Sequence, residues 1–128
     1  MPTAPLDQDI LDALSRGGVI DITTTGRKTG RERRIEIVFH NVGGRLYVSG
    51  KPGFKRGYIA NLTFNPHFTF HLKRPVNADI AATARVISDE AERREVLPHI
   101  ARAWKRDDVD TMVESSPLFE VMIDGLPA

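Results

Sequence analysis

Five of the nine residues from Gly26 to Arg34, GRKTGRERR, are arginine or lysine, in a 128-residue chain whose formal net charge is +1. A tight turn needs the glycines but not the charge. Further on, GKPGFKRG (50–57) combines three glycines and a proline with three more cations. Glycine-flanked backbone N–H groups beside guanidinium and ammonium groups make a cradle for phosphate or carboxylate oxygens. Lys28 and Lys51 act there as point charges, whereas Arg27 and Arg33 can each grip two oxygens. Neither stretch is a GxxxxGK[ST] loop or a GxGxxG fingerprint, and the first joins two strands rather than a strand and a helix. Binding of an anionic ligand and a solvated basic face are both open on this pattern alone.

The charge is unevenly spread. Residues 1–74 carry a net +6 and residues 75–128 a net −5, and residues 26–56 alone hold nine basic against two acidic side chains. That concentration suits a localised anion site. A modest pI of about 8.1, and basic residues gathered in one patch rather than along a track, speak against a nucleic-acid module. The absence of cysteine excludes disulfides, thiol chemistry and cysteine-ligated metals. Apolar and charged contents of 41% and 27% are those of a globular domain, and the length suits one domain over 1–128, with a helix and lead-in over 1–18. No run of eighteen apolar residues is present, and MPTAPLDQDI lacks the basic and apolar regions of a secretory leader, so a cytoplasmic protein is expected.

The elements that must hold these loops follow from periodicity. Leu6, Ile10, Leu11 and Leu14 fall at helical spacing and Gly17-Gly18 stop them, which predicts a helix over 6–16. Three Asp and one Arg in that span argue against membrane contact. VIDITTT (19–25), RRIEIVFH (33–40) and RLYVS (45–49) read as strands, the last two joined by an NVGG hairpin. The basic turn enters that hairpin and the basic loop leaves it, so Arg27, Lys28, Arg31 and Arg33 are expected to face Lys51, Lys55 and Arg56 across a few ångströms. YIANLTFN (58–65) predicts a short helix stopped by Pro66. HFTFHL (67–72), ADIAATARVI (78–87) and LFEVMID (118–124) predict further strands. A helix capped by Ser88 runs to about Lys105, with a kink or break at Pro98, and a short helix at best follows. About six mainly antiparallel strands with few long crossovers and peripheral helices predict an α+β, barrel-like domain.

The run TTTGRKTGRERR, then a hairpin, then SGKPGFKRGYIANLTFNPHFTFHL and a long strand, resembles the deazaflavin (F420)-dependent nitroreductase family over residues 20–87. GRKTG together with NLxxNP at this separation carries the resemblance. It implies a split β-barrel of the FMN-binding type that binds coenzyme F420, a deazaflavin with a phosphate and a polyglutamate tail. Carried over by motif, Arg27, Lys28, Thr29 and Arg33 match the turn at the phosphate and tail. Ser49, Gly50 and Lys51 match the loop at the phosphate and ring edge, and Tyr58 and Asn61 the positions lining the site. The family often has proline three residues after the arginine at 33, where this chain has Glu36, and tyrosines in the late helical segment, where it has none.

The activity so implied is hydride transfer from reduced deazaflavin to a small electrophile of the quinone, enone, nitro or imine type. The cofactor brings the chemistry, so few catalytic side chains are needed; Tyr58 is the one proton-donor candidate, and ring packing its commoner use. FMN, which has a phosphate but no such tail, is the less favoured cofactor. The same fold also leaves open a non-enzymatic binder of a fatty acid or haem, and it often pairs into homodimers. Of the four histidines, His67 and His71 share one face of a strand, but no carboxylate or thiol is spaced to complete a metal site. His40 is expected to be exposed, Arg93, Arg94, Glu92 and Glu95 to form a solvated helix face, and Phe64, Phe68, Phe70, Phe119 and Val121 to be core.

Overall fold

The computed structural model describes residues 8–53, 57–73 and 76–124. Six strands, β1 (Gly18–Thr25), β2 (Glu32–Val42), β3 (Arg45–Ser49), β4 (His67–Leu72), β5 (Ala78–Val86) and β6 (Leu118–Ile123), close into a barrel in the order β1-β2-β3-β6-β5-β4. Every neighbouring pair is antiparallel. Four helices surround it: α1 (Gln8–Arg16), α2 (Gly57–Phe64), α3 (Glu90–Ala103) and α4 (Val109–Ser115). This closed antiparallel barrel with peripheral helices is the α+β barrel that the strand pattern predicts.

Alternation fills the barrel. Ile20 and Ile22 of β1, Phe68, Phe70 and Leu72 of β4, Ile80 and Ala82 of β5, and Phe119 and Val121 of β6 all point inward into one buried cluster. Phe39 and Phe70 meet edge to face with centroids 5.1 Å apart. Ile10, Ala13 and Leu14 of α1 close one end, where Asn41 Nδ2 donates to the Leu14 carbonyl at 3.1 Å. Leu62 of α2 enters the same cluster from the end where β1 stops.

A second layer covers β3 and β6. Val96, Leu97, Ile100 and Ala101 of α3, with Met112 and Val113 of α4, pack on Tyr47 and Leu118. β3 is therefore apolar on both faces, Leu46 and Val48 inside the barrel and Tyr47 under the helices, which is why RLYVS shows no polar alternation. Opposite this layer the outer face of β1, β4 and β5 is polar. There Thr23 Oγ1, His71 and Asp79 Oδ1 form a line of hydrogen bonds, 2.7 Å at each side of the imidazole. His67 and His71 do share a face, and the His67 ring lies 3.4 Å from the Thr83 hydroxyl.

Several local expectations are corrected. α3 is capped by Asp89, whose side chain accepts the Glu92 N–H at 2.9 Å, not by Ser88, and it runs through Pro98 without a break. Phe64 is 67% exposed because α2 ends there with its inward contact made by Leu62. Arg93 is buried, since it stands four and seven residues before Leu97 and Ile100 on the packed side of α3. His40 is half-buried, its ring edge-on to Trp104 at 5.1 Å, because β2 continues to Val42 and passes beneath α3.

Candidate functional site

The GRKTG turn is built by its glycines. Gly26 N–H donates to the Arg31 carbonyl at 2.7 Å and Gly30 N–H to the Gly26 carbonyl at 2.9 Å. A side chain at Gly26 would sit 3.1 Å from both the Arg31 carbonyl and the Thr29 hydroxyl, and Gly30 has φ +71°. Thr29 Oγ1 accepts the Arg31 N–H at 3.1 Å. With the backbone thus tied to itself, the side chains of Arg27, Lys28 and Arg33 stand in solvent.

Asn61 anchors this turn to α2. It is 5% exposed; its Nδ2 donates to Thr24 Oγ1 at 3.3 Å and its Oδ1 accepts the Arg27 N–H at 3.2 Å. Tyr58, one helical turn earlier, lies edge-on to Phe119 of the core at 6.0 Å. Between turn, β2 and helix lies a cleft of about 450 Å³. Arg27, Lys28, Thr29, Arg33, Tyr58 and Asn61 all line it, together with Thr24, Gly26, Ile35 and Gly57. Thr24 and Ile35 were not singled out from the sequence, although alternation places both on the barrel's inner face, in line with Ile22 and Ile37. Among the described residues the lining holds three cationic side chains and no carboxylate.

Glu36 does not disturb this balance. It pairs with Asp21 on the outer face and receives a hydrogen bond from Lys73 Nζ at 2.5 Å. Lys73 also bonds Asp21 at 2.9 Å, as does Arg34, and these contacts hold the Asp21 carboxyl below its usual pKa, Lys73 first. Arg34 is thereby turned away from the cleft.

Ser49, Gly50 and Lys51 lie elsewhere. Phe39 pairs with Val48, so β2 reaches six residues beyond the level of Ser49, about 20 Å at strand rise. None of the three lines the cleft. The Ser49 hydroxyl is buried and donates to the Pro117 carbonyl at 2.6 Å, tying β3 to the start of β6. Of the described residues of the basic loop, only Gly57 lines the cleft. Lys55 and Arg56 lie outside the described residues.

The sequence model of the F420H2-dependent quinone reductases matches residues 7–122. The chain belongs to this family. It is accordingly an oxidoreductase with F420 as its cofactor. Its fold recurs in an F420H2-dependent reductase (22% identity, 81% of this chain and 93% of that one, TM-score 0.59). It recurs also in a candidate pyridoxamine 5′-phosphate oxidase of Listeria innocua (17%, 94% and 94%, 0.68). A third such structure is the haem storage protein HutZ of Vibrio cholerae (14%, 96% and 93%, 0.68). At these identities the likeness is one of fold. Among the described residues of this F420H2-dependent quinone reductase family member, no three His, Asp or Glu side chains gather as a metal site, and no helix is long and apolar enough to cross a membrane.

Proposed function

We propose that the cleft beside the Gly26–Arg31 turn receives the phosphate and carboxylate tail of F420, and that the enzyme reduces a small, neutral electrophile of the quinone or enone type. The observation that carries this reading is the charge of the cleft: Arg27, Lys28 and Arg33 around it and, among the described residues, not one acid. Such a donor set fits a chain of anionic oxygens. Arginine grips them in pairs and the exposed lysine adds a mobile charge.

When bound, the reduced deazaflavin supplies the hydride. The chain's own task is to bind and orient. Asn61 fixes the turn against α2, Thr29 shapes it, and Tyr58 offers a ring face and a hydroxyl at the cleft wall. Ser49 acts through the β3–β6 junction, by the bond it makes to Pro117. Membership of a reductase family, with three cations in the cleft, favours this over a fatty-acid or haem binder.

The test is a fluorescence titration with F420, with FMN as control, on wild type, Lys28→Ala and Arg33→Ala. F420 should bind more tightly than FMN. Each substitution should weaken F420 about tenfold, roughly the loss of one charge-assisted contact, and added salt should weaken the wild type. Equal affinity of all three proteins for F420 refutes the placement of the tail.

A further inference from the structure

The outer face of β1, β4 and β5 carries three groups that F420 binding does not use. Thr23 Oγ1 lies 2.7 Å from His71 Nε2, and His71 Nδ1 lies 2.7 Å from Asp79 Oδ1. A carboxylate can only accept, so Nδ1 donates to Asp79, and Nε2 of the neutral ring is left to accept the Thr23 hydroxyl proton. Hydroxyl, imidazole and carboxylate thus stand in the order of nucleophile, general base and orienting acid, each within hydrogen-bond reach of the next.

Paired strands fix the arrangement. His71 is directly opposite Asp79 in the β4–β5 ladder. Thr23 is opposite Thr69, which makes it the diagonal neighbour of His71 on the same face. The His71 ring is buried and held at both nitrogens, so its orientation and tautomer are set. Thr23 is only half-buried and the Asp79 side chain is 58% exposed, so the line meets solvent at both ends.

Attack on an acyl carbon also needs a donor for the oxyanion that develops. Arg34 is directly opposite Thr23 in the β1–β2 ladder, where facing Cβ atoms stand about 5 Å apart. Its Nε is held by Asp21 Oδ2 at 2.9 Å, and among the described residues Nη1 and Nη2 have no partner. Lys73, by contrast, is already shared between Asp21 and Glu36. The free fork of Arg34 is therefore the cation available to a substrate oxygen at Thr23. The neighbouring positions on this face, Thr69 and Ala81, carry short side chains, which suits a small acyl group and gives a long one nothing to hold.

We propose that Thr23, His71 and Arg34 form a second catalytic centre, an esterase site for small, activated acyl esters, with Asp79 as its positioning residue. It is independent of the cofactor cleft: Thr24 lines that cleft from inside the barrel, and Thr23 points to the opposite face of β1. Thr23 Oγ1 bonds to the acyl carbon as its proton passes to His71 Nε2, and Arg34 holds the oxyanion. The bond to the leaving oxygen then breaks, and that oxygen takes the proton from His71. Water attacks the acyl-threonine, giving a proton to His71, which returns it to Thr23 Oγ1 as the carboxylic acid departs.

The test is hydrolysis of p-nitrophenyl acetate by the full chain without F420, followed by nitrophenolate release and by mass spectrometry of the acetylated protein. Wild type should turn the ester over and carry a transient acetyl group on Thr23. Thr23→Val, which keeps the shape and removes the hydroxyl, and His71→Gln should each lower kcat/KM at least about a hundredfold. Thr23→Ser should restore the adduct and the turnover that Thr23→Val lacks. Arg34→Gln should lower kcat about a hundredfold. Asp79→Asn should lower kcat with KM unchanged, and Asp79→Glu should recover part of that loss. Thr23→Val should melt and bind F420 as wild type does, which separates lost chemistry from a lost fold. Hydrolysis as fast in Thr23→Val as in wild type overturns the proposal. So does an acetyl group found only on lysine, or a wild type no faster than free imidazole at the same concentration.

Discussion

Asn61 is the residue on which turn, helix and barrel meet, and replacing it separates scaffold from charge. Asn61→Ala removes the bond to Thr24 Oγ1 at 3.3 Å and the acceptor for the Arg27 N–H at 3.2 Å. Both are neutral bonds, worth about 1 kcal/mol each, so the fold should lose about 2 kcal/mol. For a chain of this size that is a fall in Tm of about 8 °C. The turn, no longer anchored, must also be ordered when ligand binds; one residue's worth of backbone ordering, about 1–2 kcal/mol, predicts about tenfold weaker F420 binding. Asn61→Asp is the sharper variant. Its carboxylate still accepts the Arg27 N–H and can accept from the Thr24 hydroxyl, so Tm should stay within a few degrees of wild type. It places the first negative charge in a cleft that has none, and F420 affinity should fall more than tenfold. Lys28→Ala, exposed, should lower affinity with no change in Tm. Differential scanning fluorimetry and the F420 titration read both quantities on the same samples. An Asn61→Ala protein that melts with the wild type refutes the anchoring role, and an Asn61→Asp protein that binds F420 equally well refutes the placement of the anionic tail in this cleft.

Two further outcomes follow from buried groups. Burial lowers the His40 pKa below its ordinary 6.5, so the unfolded chain takes up a proton at a pH where the folded one stays neutral. His40's contribution is fully present above pH 6.5 and is lost as pH falls below it, until the depressed folded pKa is passed; urea midpoints between pH 7.5 and 5 should fall, and His40→Phe should flatten that slope. Ser49→Ala removes the bond to the Pro117 carbonyl at 2.6 Å and should cost about 1 kcal/mol, or roughly 4 °C, with F420 affinity unchanged; a large loss of affinity at unchanged Tm would show that the hydroxyl meets the cofactor directly.

What the sequence made legible was whatever a period could carry. Alternation in VIDITTT and HFTFHL located β1 and β4 and told the inner face from the outer one, and GRKTG announced a turn whose glycines the fold requires at positions 26 and 30. Six of the nine residues assigned to the site line one cleft, because five of them lie on two short segments, the turn and α2, that a single asparagine joins, and Arg33 follows two residues after that turn. The three that lie elsewhere depended on a length that no local pattern encodes. A hairpin read from its turn outward implies strands that end together, yet β2 has eleven residues and β3 has five.

That inequality is also what makes a site. Beyond Phe39 the inner edge of β2 has no partner in β3, so the barrel opens, and the apolar inner face that would otherwise be core emerges at Ile35 beside Arg33. α2 fills the gap incompletely, leaving a cavity on each flank. The burial of Arg93 has a similar origin: its position relative to Leu97 and Ile100 was there to be read, but three of the four carbonyls that make burial tolerable, those of Met112, Val113 and Ser116, come from α4 and its end, 19 to 23 residues further on. Local chemistry thus selects the groups that can bind, while unequal strand lengths decide where the barrel is left open for them to do so.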